Sequence, residues 1–252
     1  MEIKFRNEFE QKWDKYFPGA DLPIGFYYTD VKEEKNMLMP LPKEHRCIIA
    51  DLESVSKGNT RCFDVNTIGC GGGRRYLGFE DNQAPNFEYF LSYGIPGKLE
   101  GERYKKSPEL VKEIMKQQTL FKAPAKNIVF KQWDAMEERD EPLVIIFFAP
   151  PDVLSGLFTL ANYDETETNK VIAPFGAGCG SIVYYPYHEL QSKRPCAVLG
   201  MFDVSARPCV SSEVLSFSIP WPKFVRMADN MEESFLITKS WDKVRRRIKK
   251  RI

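Results

Sequence analysis

Histidine is nearly absent from this chain: His45 and His188 are the only two in 252 residues. A metal site here must therefore draw on sulfur or carboxylate rather than imidazole. The six cysteines, at positions 47, 62, 70, 179, 196 and 209, include no Cys-x-x-Cys pair, which excludes a zinc ribbon and a ferredoxin-type run. Long apolar runs are missing too. The longest, LVIIFFAPP (Leu143–Pro151), is far too short to span a bilayer. The opening stretch MEIKFRNEFEQKWDKYF is charged throughout and has no apolar h-region, so it does not read as a signal peptide. Excess charge of either sign is lacking as well. Lys and Arg number 36 against 35 Asp and Glu, for a net charge of +1, so composition supplies no field to attract nucleic acid or an acidic surface. The expectation is a globular cytosolic protein, with neither nucleic acid nor membrane as partner. In a reducing cytosol its cysteines are thiols, metal ligands or catalytic groups rather than structural disulfides.

What is present has a clear order. Phe5, Phe9, Trp13 and Phe17 recur at helical spacing and Pro18-Gly19 ends the run, predicting an N-terminal helix. LPIGFYYTD (Leu22–Asp30) reads as a strand and Pro40–Lys43 as a loop. A helix is expected from about His45-Arg46-Cys47 to a stop at Gly58, followed by a strand over Asn59–Thr67. Ser107 and Pro108 cap and open a helix to Gln118. In the second half, the unbroken PLVIIFFA predicts a buried strand, with a helix over Val153–Asn162. Cys179 lies at a glycine-rich turn into a helix. Strands are expected at Cys196–Asp203 and Glu213–Pro220, then a helix after Pro222. A basic C-terminal helix has Trp241, Val244, Ile248 and Ile252 on one face. Its cations could touch RNA or an acidic partner, but a solvated helix face accounts for them more simply. The polar segment Met136–Glu141 is the best candidate boundary within a single domain spanning 1–252, with sub-halves of about 20–135 and 142–235.

Two glycine-rich segments hold cysteine: TIGCGGGRRYLGF (Thr67–Phe79) around Cys70, and GAGCGS (Gly176–Ser181) around Cys179. They belong to a weak repeat. Cys47 opens a helix and Cys70 follows 23 residues on, with Arg74 after it; Cys179 opens a helix and Asp203 follows 24 residues on, with Arg207 after it. Each half thus offers one ligand at a helix start and one in a loop. Thiolates bind soft or borderline metals and attack electrophiles, while bare glycines let backbone N–H groups approach whatever the sulfur holds. Three chemistries fit. Cys47, Cys70 and Cys179, with Asp203 as fourth ligand, could hold an iron–sulfur cluster or zinc, with Arg74 and Arg207 as charge partners. Cys70 or Cys179 could be a nucleophile. Gly69, Gly71 and Gly72 with Arg74 could cradle an anion without any metal, although the segment matches neither the P-loop nor the dinucleotide fingerprint. Against all three stands simple packing of small residues in tight turns. That reading is favoured for Cys62 and Cys196, inside strand-like runs, and for Cys209, after a proline in a loop. His45 and His188 read as surface or helix-end residues.

Taken together, HRCIIADLESVSKGNT, GCGGGRRYLGF, APPDVLSGLFTLANYD, APFGAGCGSIVYYP, AVLGMFDVSARP and LSFSIPWPKF resemble the prokaryotic family called domain of unknown function family 169. The likeness runs in order from about Leu22 onward. It implies a compact mixed α/β protein with cysteines at the positions of Cys47, Cys70 and Cys179. It also implies a further cysteine in relatives where this chain has Asp203, so that a four-thiolate site gives way here to a mixed-ligand or a lost one. The fold expected is mixed α/β (α+β), as two pseudo-repeated halves packed around the Gly/Cys-rich turns. The function expected is metal binding through cysteines, iron–sulfur or zinc, in a redox or small-molecule-binding role with a small molecule or an electron-transfer protein as partner. A metal- or thiol-dependent redox enzyme falls within that expectation. The alternative is a metal-free protein that binds a small molecule or anion, or regulates, through the same turns.

Overall fold

The computed structural model describes residues 1–31, 47–119 and 121–249; the expected Pro40–Lys43 loop, His45 and Ile252 lie outside them. In chain order the elements are α1 (Ile3–Tyr16), β1 (Ile24–Thr29), α2 (Ile48–Ser56), β2 (Arg61–Phe63), α3 (Gly71–Tyr76), α4 (Phe87–Phe90), α5 (Pro108–Gln117) and β3 (Asn127–Gln132). Then follow β4 (Val144–Ala149), α6 (Pro151–Ala161), β5 (Val171–Ile172), α7 (Tyr185–Glu189), β6 (Ala197–Gly200), β7 (Leu215–Pro220), α8 (Trp221–Asn230) and α9 (Lys239–Lys249). This is a mixed α/β protein. Among the described residues no helix is long and apolar enough to cross a membrane.

One seven-stranded sheet runs in the order β2-β3-β1-β4-β7-β6-β5. All pairings are antiparallel except β5 with β6. Strands β1 and β4 meet at the middle, with Ile24 opposite Ile146 and Phe26 opposite Val144. Outward from that seam lie β3 then β2 on one side, and β7, β6 and β5 on the other. The polar segment Met136–Glu141 joins β3 to β4 inside this sheet, and its Met136 and Asp140 are buried.

The unbroken apolar run of β4 is explained by burial on both faces. Ile145, Phe147 and Ala149 join a core with Phe9, Trp13, Phe17, Leu157, Phe224 and Trp241, beneath α1, α6, α8 and α9. Val144 and Ile146 face the opposite core with Ile48, Ile49, Leu52, Ile68, Leu77, Ile182 and Val183. Aromatic stacking fixes the first layer: Trp13 stacks on Phe17 with centroids 4.3 Å apart. Every cysteine proposed as a ligand lies on the second layer, with α2, α3 and the turn before α7.

Three elements departed from expectation. The strand expected over Asn59–Thr67 is confined to β2, because Asp64 Oδ1 accepts the Asn66 and Thr67 N–H groups and turns the chain. The short helix that the sequence suggests at Arg74–Phe79 instead starts at the glycines themselves. Strand β3, unanticipated, fills the space between β1 and β2.

A buried ion pair pins β3 to the segment before β4. Lys131 Nζ donates to Asp140 Oδ2 at 2.9 Å, with side-chain exposures of 5% and 2%. Burial alone would raise the Asp140 pKa, but the Glu137 N–H, the Lys131 ammonium and the Tyr27 hydroxyl outweigh it and hold the carboxyl below its usual range. Because the folded pKa is depressed, this stabilisation is complete above the unfolded value of about 3.9 and is lost as pH falls through the folded pKa. Asp140→Asn, which strands a buried ammonium, is expected to lower stability by about 3–5 kcal/mol in urea denaturation at pH 7 and to remove that part of the acid limb. A variant as stable as the parent would contradict the assignment.

Candidate functional site

Four turns of the second layer converge. Cys47 is the N-cap residue of α2, in extended conformation. Cys70 caps α3: its Sγ accepts the Gly73 N–H at 3.1 Å, the sulfur standing where a serine oxygen usually caps. Cys179 precedes a single π-helical turn, Gly180–Tyr184, that leads into α7; such turns are rare and recur at functional sites. The fourth turn carries Asp203 and closes as a 3-10 helix over Arg207–Cys209.

The side chains that crowd the glycines show how close these turns come. A Cβ placed on Gly73 would lie 2.9 Å from Ile68 Cγ2, 3.0 Å from Cys70 Sγ and 3.8 Å from Ile48 Cγ2. One on Gly178 would lie 3.1 Å from Ala206 Cβ and 3.4 Å from Ile49 Cγ1. The first turn of α2 therefore touches both glycine-rich segments. α3 packs on the π-helical turn, and α2 on the Arg207–Cys209 turn.

The Cys179 turn is built by hydrogen bonds. Asp203 Oδ2 accepts the Gly178 N–H at 3.0 Å, and Oδ1 accepts the Ser205 N–H at 3.1 Å and its hydroxyl at 2.8 Å. Ser181 Oγ donates to the Gly178 carbonyl at 2.8 Å. Behind it, Gly200 leaves no room for a side chain against Ser181 and Ser216.

The turns that carry Cys47, Cys70, Cys179 and Asp203 thus lie near enough for the charges of the other three to act on Cys179. Cys179 is buried, and its thiol is pushed well up by burial and by the negative charge that Cys70, Cys47 and Asp203 would place beside it. The Cys47 thiol is pushed up to about 12, by burial first and then by Cys209 and Cys70, with the Ile49 N–H opposing. Both are held as neutral thiols at neutral pH, which disfavours Cys179 as a nucleophile. Cys209, read from the sequence as a packing residue, lies near enough to Cys47 to raise its pKa. Its one signal in the sequence was its place two residues after Arg207. As the side chains stand, no three His, Cys, Asp or Glu groups among the described residues gather into a set able to hold a metal ion.

The two arginines are engaged elsewhere. Arg74 pairs with Glu80 at 3.0 Å. Arg207 donates to the carbonyls of Val214 at 2.9 Å and Ser212 at 3.1 Å, holding the chain that enters β7. His188 packs its ring on Tyr184 at 4.5 Å, away from the thiols, and burial lowers its pKa. Around the group the surface is apolar: Phe175, Phe202 and Val204 are 59%, 56% and 67% exposed, and the Lys105 ammonium sits 3.7 Å over the Phe175 ring.

Three glycines separate into two kinds. Gly73 is required by its contacts, whereas a Cβ on Gly71 or Gly72 would meet nothing within 4 Å. Both are exposed and helical, so neither packing nor backbone conformation demands glycine there. They leave open space beside Cys70, and Gly69 next to them is half-buried.

Fold and site together define a mixed α/β protein whose thiols gather on one layer of a single sheet. The chain belongs to the DUF169 family, described as uncharacterised ArCR, whose model matches residues 20–230. No curated protein and no solved structure matches it.

Gly71→Ala and Gly72→Ala are expected to leave stability unchanged or raise it by up to about 1 kcal/mol. Gly73→Ala should lower it by about 1–3 kcal/mol. Thermal melts of the three variants decide this; a loss in Gly71→Ala equal to that in Gly73→Ala would make the open glycines structural.

Proposed function

We propose that this protein is a cytosolic metalloprotein whose Cys47, Cys70 and Cys179 hold an iron–sulfur cluster or, failing that, zinc, in a redox or small-molecule-binding role. The observation that carries the reading is the meeting of three cysteine-bearing turns from distant parts of the chain on one layer. Packing alone gives no reason for these thiols to be neighbours, since each would pack as well among aliphatic groups. Their chemistry suits a soft or borderline cation. Bare glycines at Gly71 and Gly72 leave room beside Cys70, and the Gly73 N–H already points at its sulfur. Backbone N–H groups on sulfur are one of the means by which a protein tunes a cluster potential.

Coordination requires the thiols to turn inward about χ1 and to give up their protons as the metal arrives. When bound, the metal or cluster would supply electron transfer or an open coordination position. The apolar rim of Phe175, Phe202 and Val204 would suit the face of an electron-transfer partner. The metal-free anion cradle is less well supported, because Arg74 and Arg207, the cations it would use, are committed to Glu80 and to main-chain carbonyls.

Purification without oxygen, followed by metal analysis, tests the reading. The expected result is a brown protein with stoichiometric iron and an iron–sulfur absorbance that disappears in Cys70→Ala. A colourless protein with one zinc per chain supports the zinc form. A folded protein that carries neither metal overturns the proposal.

A further inference from the structure

Four cationic side chains are buried among the described residues: Arg75, Lys131, Lys170 and Lys223. Each of the three lysines has a carboxylate: Asp140 at 2.9 Å, Glu167 at 2.8 Å and Glu165 at 3.1 Å, in that order. Arg75 is only 9% exposed and pairs with no carboxylate among the described residues. Its Nη1 donates to the Asp81 carbonyl, while its Nε is buried without a partner. A lysine so placed could shed its proton, but a guanidinium stays charged. An unpaired buried charge is costly, and an unsatisfied buried donor in a native fold calls for a bound ion or water. We propose that Arg75 anchors an anion-binding site whose ligand is a small molecule bearing a carboxylate or phosphate.

The edge of the guanidinium left over suits that chemistry. With Nη1 committed to Asp81, Nε and Nη2 form the side that grips two oxygens of one oxyanion in parallel. Room for a ligand lies on the same side of α3. Gly71 and Gly72 precede Arg75 by four and three residues, which places all three on one face of the helix. A Cβ on either glycine would meet nothing within 4 Å. As the side chain stands Nε is closed off from water, so binding turns that edge toward the open face. Tyr76 walls the space: its ring lies 5.6 Å from that of Tyr184 and 3.6 Å from where a Cβ on Gly180 would stand. The anion therefore sits beside the turn that carries Cys179. Arg74 is held by Glu80 at 3.0 Å, so the two adjacent arginines divide between structure and ligand. This inference goes beyond the metal reading and does not rest on it.

Calorimetric titration of the protein with inorganic phosphate and, separately, with succinate tests the site, at an ionic strength held constant with chloride. Wild type is expected to bind one equivalent of at least one of them, phosphate marking a phosphorylated ligand and succinate a carboxylate. Arg75→Met is expected to weaken that affinity at least about tenfold, while Arg246→Met, which removes an exposed cation of α9, leaves it unchanged. Without anion, Arg75→Met is expected to melt no lower than wild type, because it removes an unpaired buried charge. In wild type the Arg75 Nε–H resonance is expected to shift as the anion saturates, a readout that stands even where the variant fails to fold. Wild type that binds neither anion overturns the inference. So does an unmoved Nε–H resonance, or an Arg75→Met protein that melts lower yet binds as tightly as wild type. The same titrations on protein stripped of metal separate this outcome from that of the metal reading.

Discussion

The antiparallel seam between β1 and β4 is the contact on which the rest of the molecule depends. It joins a strand from each half through Ile24, Phe26, Val144 and Ile146, all buried. Gly25 lies in the same seam because a side chain there would collide with Met136 and press on Ile145. With the strand orders fixed outward from this pair, α2 and the π-helical turn must cover the same face. The opposite face is closed by α1, α6, α8 and α9 around a stack of aromatic rings. One layer of the sheet therefore carries the core, while the other carries both a core and the thiols.

A second constraint acts within that layer. Several thiols and a carboxylate in one partly buried space cannot all ionise, because each added negative charge raises the cost of the next. Without a cation the Cys47 and Cys179 thiols stay protonated. A metal or cluster would reverse the balance by drawing the charges together. Under the proposed function, neutral thiols and thiolates around a metal would be two states of the same arrangement, exchanging protons for a cation. This accounts for the side chains being neighbours without forming a coordination set as they stand.

Much of this was legible in the residues. The helical spacing of Phe9 and Trp13, the Ser107–Pro108 start of α5 and the doubly buried run of β4 are local signals, and they produced the elements they promised. The order and spacing of Cys47, Cys70, Cys179 and Asp203 pointed to turns that do come near one another, although among the described residues they form no coordination set. What escaped was decided by tertiary contacts. Cys209 follows a proline in an unremarkable loop, and only the packing of its turn on α2 brings it to Cys47. Arg74 and Arg207 looked like charges aimed at the site; Glu80 and three carbonyls claim them instead. Asp203 accepts the Gly178 N–H, a partner that no side-chain pattern reveals.

The central claim is that these sulfurs bind a metal, and X-ray absorption at the edge of the metal that co-purifies without oxygen tests it most directly. The account predicts a first shell that contains sulfur at about 2.3 Å. A first shell of oxygen or nitrogen alone would contradict it.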